Sequence, residues 1–589
     1  MKKGILKDVE KAEIERFILE MEQFEKGKKT DSEFTRFRLE NGIYGIRDKE
    51  REHMVRIKIP YGQLDSDQLE VVADIVEKYT PNKLAHITTR QDIQIHNVQR
   101  EHVPEIMTLL NECGLTTREA CGNTVRNITA CHFSGVAPGE VFDVTSYADI
   151  LFRFLFRNPI CQSMPRKFKI AFEGCTEDHA RITIHDLGFV AKLKKQGTIH
   201  ERGFQTYIGG GLGSMPKSAF LLEEFTPLEL VIPTAEAVIR IHDRFSNRED
   251  RNRARIKFFI KKIGEEEARK LILNERDAVL ATQSGRMMLA CTEMLNLPLE
   301  KEAPLVEIPQ GITDLSSQQE EDYKRWLRTN TFQQKQKGHY SVTIRCLLGD
   351  IDPDQMRQVA GIARRYCDGR MRTVITQNLI MNWVPERALP FVYHDLLEAG
   401  LEVHSADRIA DITRCPGADT CKIAITRSKG LARELTPVFS NGLGSNEALQ
   451  DIKIKISGCF NSCGQHHIAD IGLYGLGKRV NGRDVPHYQI LLGGGSKEGL
   501  SIFGKPVSMI PAKNAPKAVQ SILQYYLDNM EESEKFPEFV HRMGPAKFRD
   551  LLKALSTIPS PDEDPAFFED WGAPGVPFKI SVGTGECAQ

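Results

Sequence analysis

The chain of 589 residues has no surplus of charge: 79 Lys and Arg stand against 80 Asp and Glu, a formal net charge of −1. That balance leaves no basic footprint for nucleic acid or an anionic membrane surface. No apolar run is long enough to span a bilayer. The opening stretch, MKKGILKDVEKAEIERF, is charged and helix-patterned where a secretory signal would carry an apolar core, so a cytoplasmic protein is expected. No Cys-x2-Cys-x2-Cys run of ferredoxin type occurs. The glycine-rich stretch Gly209–Ser214, GGGLGS, lacks the helix opening and the spaced acidic residue of a dinucleotide loop, so no flavin or nicotinamide module is expected. An odd number of cysteines, 13, without a signal excludes a disulfide framework. Cys113, Cys291, Cys346 and Cys367 read as small buried hydrophobes. What remains is ordinary for a soluble protein of several domains: 41% hydrophobic and 27% charged residues.

The most informative feature is an internal repeat. Residues 55–79 and 342–366 align without gaps with ten of twenty-five positions identical, against roughly one or two for unrelated segments. Each copy reads as an alternating strand, a turn with Gly and Asp, and an amphipathic helix starting near Asp67 or Asp354. A β-rich stretch follows in both, LAHITTRQDIQIHNV and MRTVITQNLIMNWV. A second echo pairs KIAFEGC ending at Cys175 with KIKISGC ending at Cys459, followed by IHDLGF and IADIGL and then by glycine-rich turns at 207–214 and 491–499. The chain is therefore read as a duplication, each half a small α/β unit followed by a larger one. The expected layout is an N-terminal helical segment 1–40 with a helix at about 8–25, units 41–115 and 116–297, a linker 298–325, units 326–400 and 401–531, and a tail 532–589.

The halves differ in their chemistry. The second alone carries Cys415-x5-Cys421 and Cys459-x3-Cys463. Two close cysteine pairs suggest a metal centre. The five-residue gap is loose for structural zinc, whereas an iron–sulfur cluster tolerates ligands from distant loops, and Gly417, Gly458 and Gly464 let backbone approach a bulky core. Spacing favours the cluster over zinc and leaves four buried thiols as the remaining reading. The first half instead carries Arg56, Arg90, Arg126, Lys167 and Lys169. Alternation puts Lys167 and Lys169 on one strand face, and two such ammonium groups are plausible together in a buried site when an anion lies between them.

Cys-x5-Cys followed by Cys-x3-Cys on a duplicated chain resembles the assimilatory, ferredoxin-dependent sirohaem sulfite and nitrite reductases, over roughly residues 30–530. The resemblance implies an α+β fold (mixed α/β) with two ferredoxin-like half-domains and two sirohaem/4Fe-4S domains in pseudo-twofold symmetry. It implies a 4Fe-4S cluster on Cys415, Cys421, Cys459 and Cys463, with Cys463 also bridging to sirohaem. Arg56, Arg126, Lys167 and Lys169 would grip the substrate on the distal side. Arg90, Gln94, His96, Arg251, Arg255 and Gln377 match stretches that contact sirohaem carboxylates. The implied activity is six-electron reduction of sulfite to sulfide or nitrite to ammonia, fed by a separate ferredoxin or flavoprotein. Plant-type nitrite reductases tend to carry Asn at the position matching Lys169, and the extra cation here tips the expectation to sulfite. Phe460, where many relatives have Pro, departs from the pattern. The tail has no counterpart, and Cys587 within it has no assigned role.

Overall fold

The computed structural model describes residues 6–586 except 197–198, 294–302, 310–315, 402, 441–442, 498, 582 and 584–585. Cys587 and the start of the expected linker lie outside the described residues. The duplication organises everything between. Helix Ser66–Tyr79 opens on Asp65, whose side chain accepts from the Gln68 N–H while Gln68 reaches back to the Asp65 N–H. Helix Pro353–Tyr366 repeats the device with Asp352 and Gln355, with Pro in its first turn. Each helix buries one apolar stripe. In the first copy Leu69, Val72, Ile75 and Val76 are fully covered, each contributing about 1.5–3 kcal/mol relative to exposure.

The two small units are antiparallel sheets, each completed by the other. Ile43–Ile46, Lys49–Ile57, Ile93–Gln99 and Ala85–Ile87 form four strands in that spatial order, and the fifth is Asp350–Ile351 from the second copy. Thr331–Gln333, His339–Ile344, Leu379–Pro385 and Arg370–Thr373 make the other sheet, closed by Gln63–Asp65 from the first copy. The two units share one hydrophobic core, which runs from Val55 and Leu69 to Val342 and Val359.

The larger units are mixed five-stranded sheets of matching order. One runs Phe220–Pro227, Ile199–Ile208, Leu187–Gln196, Ile170–Glu173, Thr129–Ala130; the other Lys505–Pro511, Arg483–Leu492, Ile471–Val480, Ile454–Ser457, Thr413–Arg414. In both, the last two pairings are parallel and the others antiparallel. The strand ends at Thr129–Ala130 and Thr413–Arg414 lead directly into Cys131 and Cys415. A short hairpin of the second copy, Gly495–Lys497 and Leu500–Ile502, reaches the first: Ser501 Oγ lies 2.6 Å from Thr183 Oγ1, and Ser496 Oγ donates to Asp178 at 2.8 Å.

Two segments differ from expectation. From Ser317 the expected linker is already helix, Ser317–Asn330, with Trp326 buried in the shared core. The tail, expected only to lie outside the repeat, packs closely: helix Phe536–Leu552, kinked at Gly544–Pro545, buries Phe536, Phe539, Phe548 and Leu552 against Ile522 and Tyr526 of the second larger unit.

Candidate active site between the two halves

Cys415 and Cys459 are buried, Cys421 is half-buried and Cys463 is exposed. Glycine is required around them. A Cβ on Gly458 would stand 2.5 Å from the Thr426 carbonyl oxygen, and one on Gly417 2.5 Å from the Ser428 nitrogen. The Gly458 N–H donates to Cys415 Sγ at 3.2 Å, and Asn461 Nδ2 to Cys459 Sγ at 3.5 Å. Burial pushes the thiols of Cys415, Cys421 and Cys459 up, Cys421 to about 12, and each feels the charge of Cys463. The four converge on one space, yet among the described residues the donor sets packed within 4.8 Å lie elsewhere. Tetrahedral zinc would hold its sulfurs about 3.8 Å apart. The wider spacing suits thiolates arranged around a multi-iron core.

Across from Cys463 stands the first half. Thr89 Oγ1 donates to the Cys463 carbonyl at 2.9 Å, which sets the Thr89–Arg90 turn beside the cysteine loop. Lys169 is close enough to Arg90, Lys167, Arg255 and Cys463 to feel all four charges; burial and the cationic neighbours hold its amine well below the ordinary lysine range. Arg126 donates to the Gly122 carbonyl at 2.8 Å, to that of Ala120 at 3.1 Å and to Tyr44 Oη at 3.3 Å. Arg56 reaches the same Ala120 carbonyl at 3.3 Å and lies over the Tyr44 ring at 5.2 Å. Gln94 pairs with Arg56 across neighbouring strands; with its amide oxygen turned to the guanidinium it accepts from Nε at 3.1 Å. Of the sequence-expected residues, Arg56, Gln94 and Arg126 meet near Tyr44, Arg90 and Lys167 lie close to Lys169 and Cys463, and Arg90 feels the charge of Arg126.

The remaining expected residues are arranged differently. Arg255 is committed to Asp186, donating from Nε at 3.1 Å and Nη2 at 2.7 Å, and is tucked under Gly211, where a Cβ would meet the guanidinium at 2.7 Å. Gln377 is spent on backbone and a histidine: it donates to the Ile87 carbonyl at 2.9 Å, accepts from the Arg414 N–H at 2.7 Å and lies 2.9 Å from His86 Nε2. Its repeat counterpart Gln91 makes the same stitch to the Thr373 carbonyl and Ala130. Arg251 is exposed and lines a cavity of about 240 Å³ with Arg36, Arg248, Asn123 and Glu586. Cys291 is exposed and Cys113 half-buried, while Cys346 and Cys367 are buried as read from the sequence.

The arrangement fits a large polyanionic group. Arg90 Nε and His96 Nδ1 are buried without a hydrogen-bond partner, and burial holds the His96 imidazole down at about 3. Buried donors left open in this way are expected where a ligand completes them.

Sequence reading missed Asp186 and His185. Asp186, buried, also accepts the Lys169 N–H at 2.9 Å, and His185 Nε2 lies 2.6 Å from Arg90 Nη1. The echo IHDLGF/IADIGL carried the signal, because Asp470 accepts the Lys453 N–H at 2.8 Å in the same way. The echo pairing Cys175 with Cys459 extends to a second cysteine of the first half. Cys131 accompanies Cys415 and Cys175 accompanies Cys459, and the Cys131 N–H bonds the Phe172 carbonyl as that of Cys415 bonds Ile456.

The nitrite and sulphite reductase 4Fe-4S domain matches residues 121–279 and 405–558. The nitrite/sulfite reductase ferredoxin-like half domain matches 44–113 and 332–399. The chain is 27% identical over 572 residues to an assimilatory ferredoxin-dependent nitrite reductase of Haloferax mediterranei, covering 94% of this chain and 93% of that one. It is 26% identical to a ferredoxin–nitrite reductase of Synechococcus elongatus, over 80% and 85% of the two chains. It is 25% identical to a ferredoxin sulfite reductase of Mycobacterium tuberculosis, over 83% and 82%. Among solved structures, Mycobacterium tuberculosis NirA shares the fold, with TM-score 0.71, 24% identity and 89% and 92% coverage. With both domain types matched twice, in order, over most of its length, this chain belongs to the nitrite and sulphite reductases, oxidoreductases that carry sirohaem and a 4Fe-4S cluster.

Proposed function

We propose that this protein reduces sulfite to sulfide in preference to nitrite to ammonia, taking electrons singly from ferredoxin in the cytoplasm. The reading rests on one observation, the half-buried Lys169 set among Arg90, Lys167 and Arg255 within reach of Cys463. Cys415, Cys421, Cys459 and Cys463 would hold the cluster, and Arg90 and His96 would face the sirohaem carboxylates. The bound cofactors supply an anion-binding iron and an electron store. Arg56 and Arg126 are permanently charged and grip the anion without exchanging protons. Lys169 Nζ differs: burial, then crowding by cations, makes its ammonium form costly until a dianion arrives, so binding recharges it and leaves it ready to release a proton to a departing oxygen. One more unit charge at contact in a partly buried site is worth about one to a few kcal/mol, or roughly ten-fold or more between dianionic sulfite and monoanionic nitrite.

Nitrite as the main substrate is the second reading, favoured by the names of the Haloferax and Synechococcus relatives. The deciding experiment measures kcat/KM for both anions with one donor, in wild type and Lys169→Asn. The proposal expects sulfite preference in the wild type and a shift toward nitrite in the variant. A wild type that prefers nitrite, or a ratio unmoved by the substitution, overturns it.

A further inference from the structure

The first half contains a cluster of donors that the active site does not use. Cys131 Sγ lies 3.6 Å from Cys175 Sγ and 3.5 Å from His179 Nδ1, and His179 Nδ1 lies 3.8 Å from Glu173 Oε1. All four donor atoms fall within 4.8 Å of one another. Cys131, Cys175 and Glu173 are buried, and His179 is largely covered.

The separations match tetrahedral coordination. With metal–sulfur bonds of about 2.3 Å and metal–nitrogen bonds of about 2.0–2.1 Å, a tetrahedron sets sulfur to sulfur about 3.8 Å apart and sulfur to nitrogen about 3.6 Å. The outer groups match as well. Glu177 Oε2 stands 3.4 Å from His179 Nε2, the carboxylate that orients a metal-bound imidazole. Glu173 is fixed by the N–H groups of Cys175, at 2.9 Å, and Ala180, at 2.8 Å.

The duplication makes the position meaningful. Cys131, Cys175 and His179 are spaced as Cys415, Cys459 and Cys463 are, and Ala137 stands where Cys421 would be. The fourth ligand is thus missing from its loop and Glu173 offers a carboxylate inside the same space. The lost thiol and the closer packing leave room for a single ion, where the second half spreads its sulfurs more widely.

We infer that Cys131, Glu173, Cys175 and His179 form a second metal centre, a closed mononuclear zinc site at the pseudo-symmetric counterpart of the 4Fe-4S position. Binding displaces the thiol protons and the imidazolium proton to solvent, and no electron is transferred. The ion would tie the ends of strands Thr129–Ala130 and Ile170–Glu173 to the turn that carries His179, and its role is structural.

Metal analysis of the purified holoenzyme tests this. One zinc per chain is expected beyond the iron of the two cofactors, with zinc-edge X-ray absorption showing two sulfur scatterers at about 2.3 Å and two nitrogen or oxygen scatterers at about 2.0–2.2 Å. His179→Ala and Cys131→Ser should each lose the zinc and keep the cluster absorbance. Zinc absent from the wild type even after incubation with zinc chloride, an extra iron in its place, a Cys131–Cys175 disulfide in peptide mapping, or zinc retained in either variant overturns the assignment. The wild-type measurement decides the matter even if a variant does not fold.

Discussion

Glu586 fastens the last described residues of the C-terminal tail, and replacing it with Gln should release that end. The carboxylate is 6% exposed and accepts from Arg38 Nη1 at 2.8 Å, the Gly45 N–H at 2.6 Å and Lys422 Nζ at 2.6 Å. Gly45 is required for this approach, since a Cβ there would lie 2.3 Å from the carboxylate oxygen. The side-chain hydrogen bonds and charges of Arg38 and Lys422 outweigh burial and hold Glu586 down at about 2, against an ordinary value of 4.5. The folded-state pKa is depressed, so the stabilisation is fully present above pH 4.5 and lost as pH falls toward 2. The interval corresponds to about 3 kcal/mol, or roughly a few hundred-fold in a local opening constant. The same anchor steadies the Cys421 loop, because Arg47 donates to the carbonyls of Cys421, Lys422 and Ser581. At pH 7, Glu586→Gln should speed hydrogen exchange at the Gly45 and Gly583 amides by about that factor, and should hasten loss of the cluster absorbance. Exchange at both amides within about three-fold of wild type, or wild-type protection unchanged between pH 5 and pH 3 after correction for intrinsic rates, would refute the reasoning.

Other outcomes follow from the same geometry. Cys415→Ser, Cys421→Ser or Cys459→Ser should each abolish the iron–sulfur signal in absorbance and electron paramagnetic resonance, since serine oxygen is a poor match for the cluster iron, and Cys463→Ser should also alter the haem-like bands. Arg126→Ala should leave both cofactor spectra in place while weakening cyanide and sulfite binding, read by spectral titration. Asp186→Asn strands the buried Arg255 guanidinium and should cost about 3–5 kcal/mol in denaturant titrations of the folded protein. Gly210→Ala places a Cβ 2.2 Å from the Thr183 carbonyl oxygen and 2.6 Å from that of His185. It should displace the turn carrying His185 and lower sirohaem content measured by pyridine extraction, whereas Gly213→Ala, where a Cβ meets open space, should act only through its left-handed backbone.

Much of this molecule was legible in its sequence because the signals are local or repeated. The helices at Ser66 and Pro353 announce themselves through capping residues and apolar spacing, and Cys415, Cys421, Cys459 and Cys463 are grouped in two short motifs. Arg56 could be placed on its strand, but Lys169 stands one residue before strand Ile170–Glu173 and Lys167 outside it, so the expected shared strand face does not hold, and their grouping came from a family pattern. Contacts between distant segments left no such trace. Arg255 and Gln377 read from the sequence as sirohaem contacts, with no sign of the Asp186 beneath the one or of the bonds from the other to Ile87 and Arg414. Cys131 gave no hint of a donor set, because its partners Glu173, Cys175 and His179 lie more than forty residues along the chain. The tail anchor is the extreme case: Arg38 and Glu586 pair across almost the whole chain.

The exchanged strands Gln63–Asp65 and Asp350–Ile351 bear on the ancestry of the chain. A polypeptide holding one copy would present an open sheet edge at Ala85–Ile87 and a lone strand projecting from its turn, a combination that is satisfied when two identical molecules trade strands. Two separate copies would close their sheets by trading these strands as a homodimer does, and having both copies on one chain makes that exchange permanent. Fusion also removed the constraint of symmetry. Once both copies lay on one chain, Arg90 could arise opposite a threonine at 376, and Cys421 opposite an alanine at 137, with no matching change in the other half.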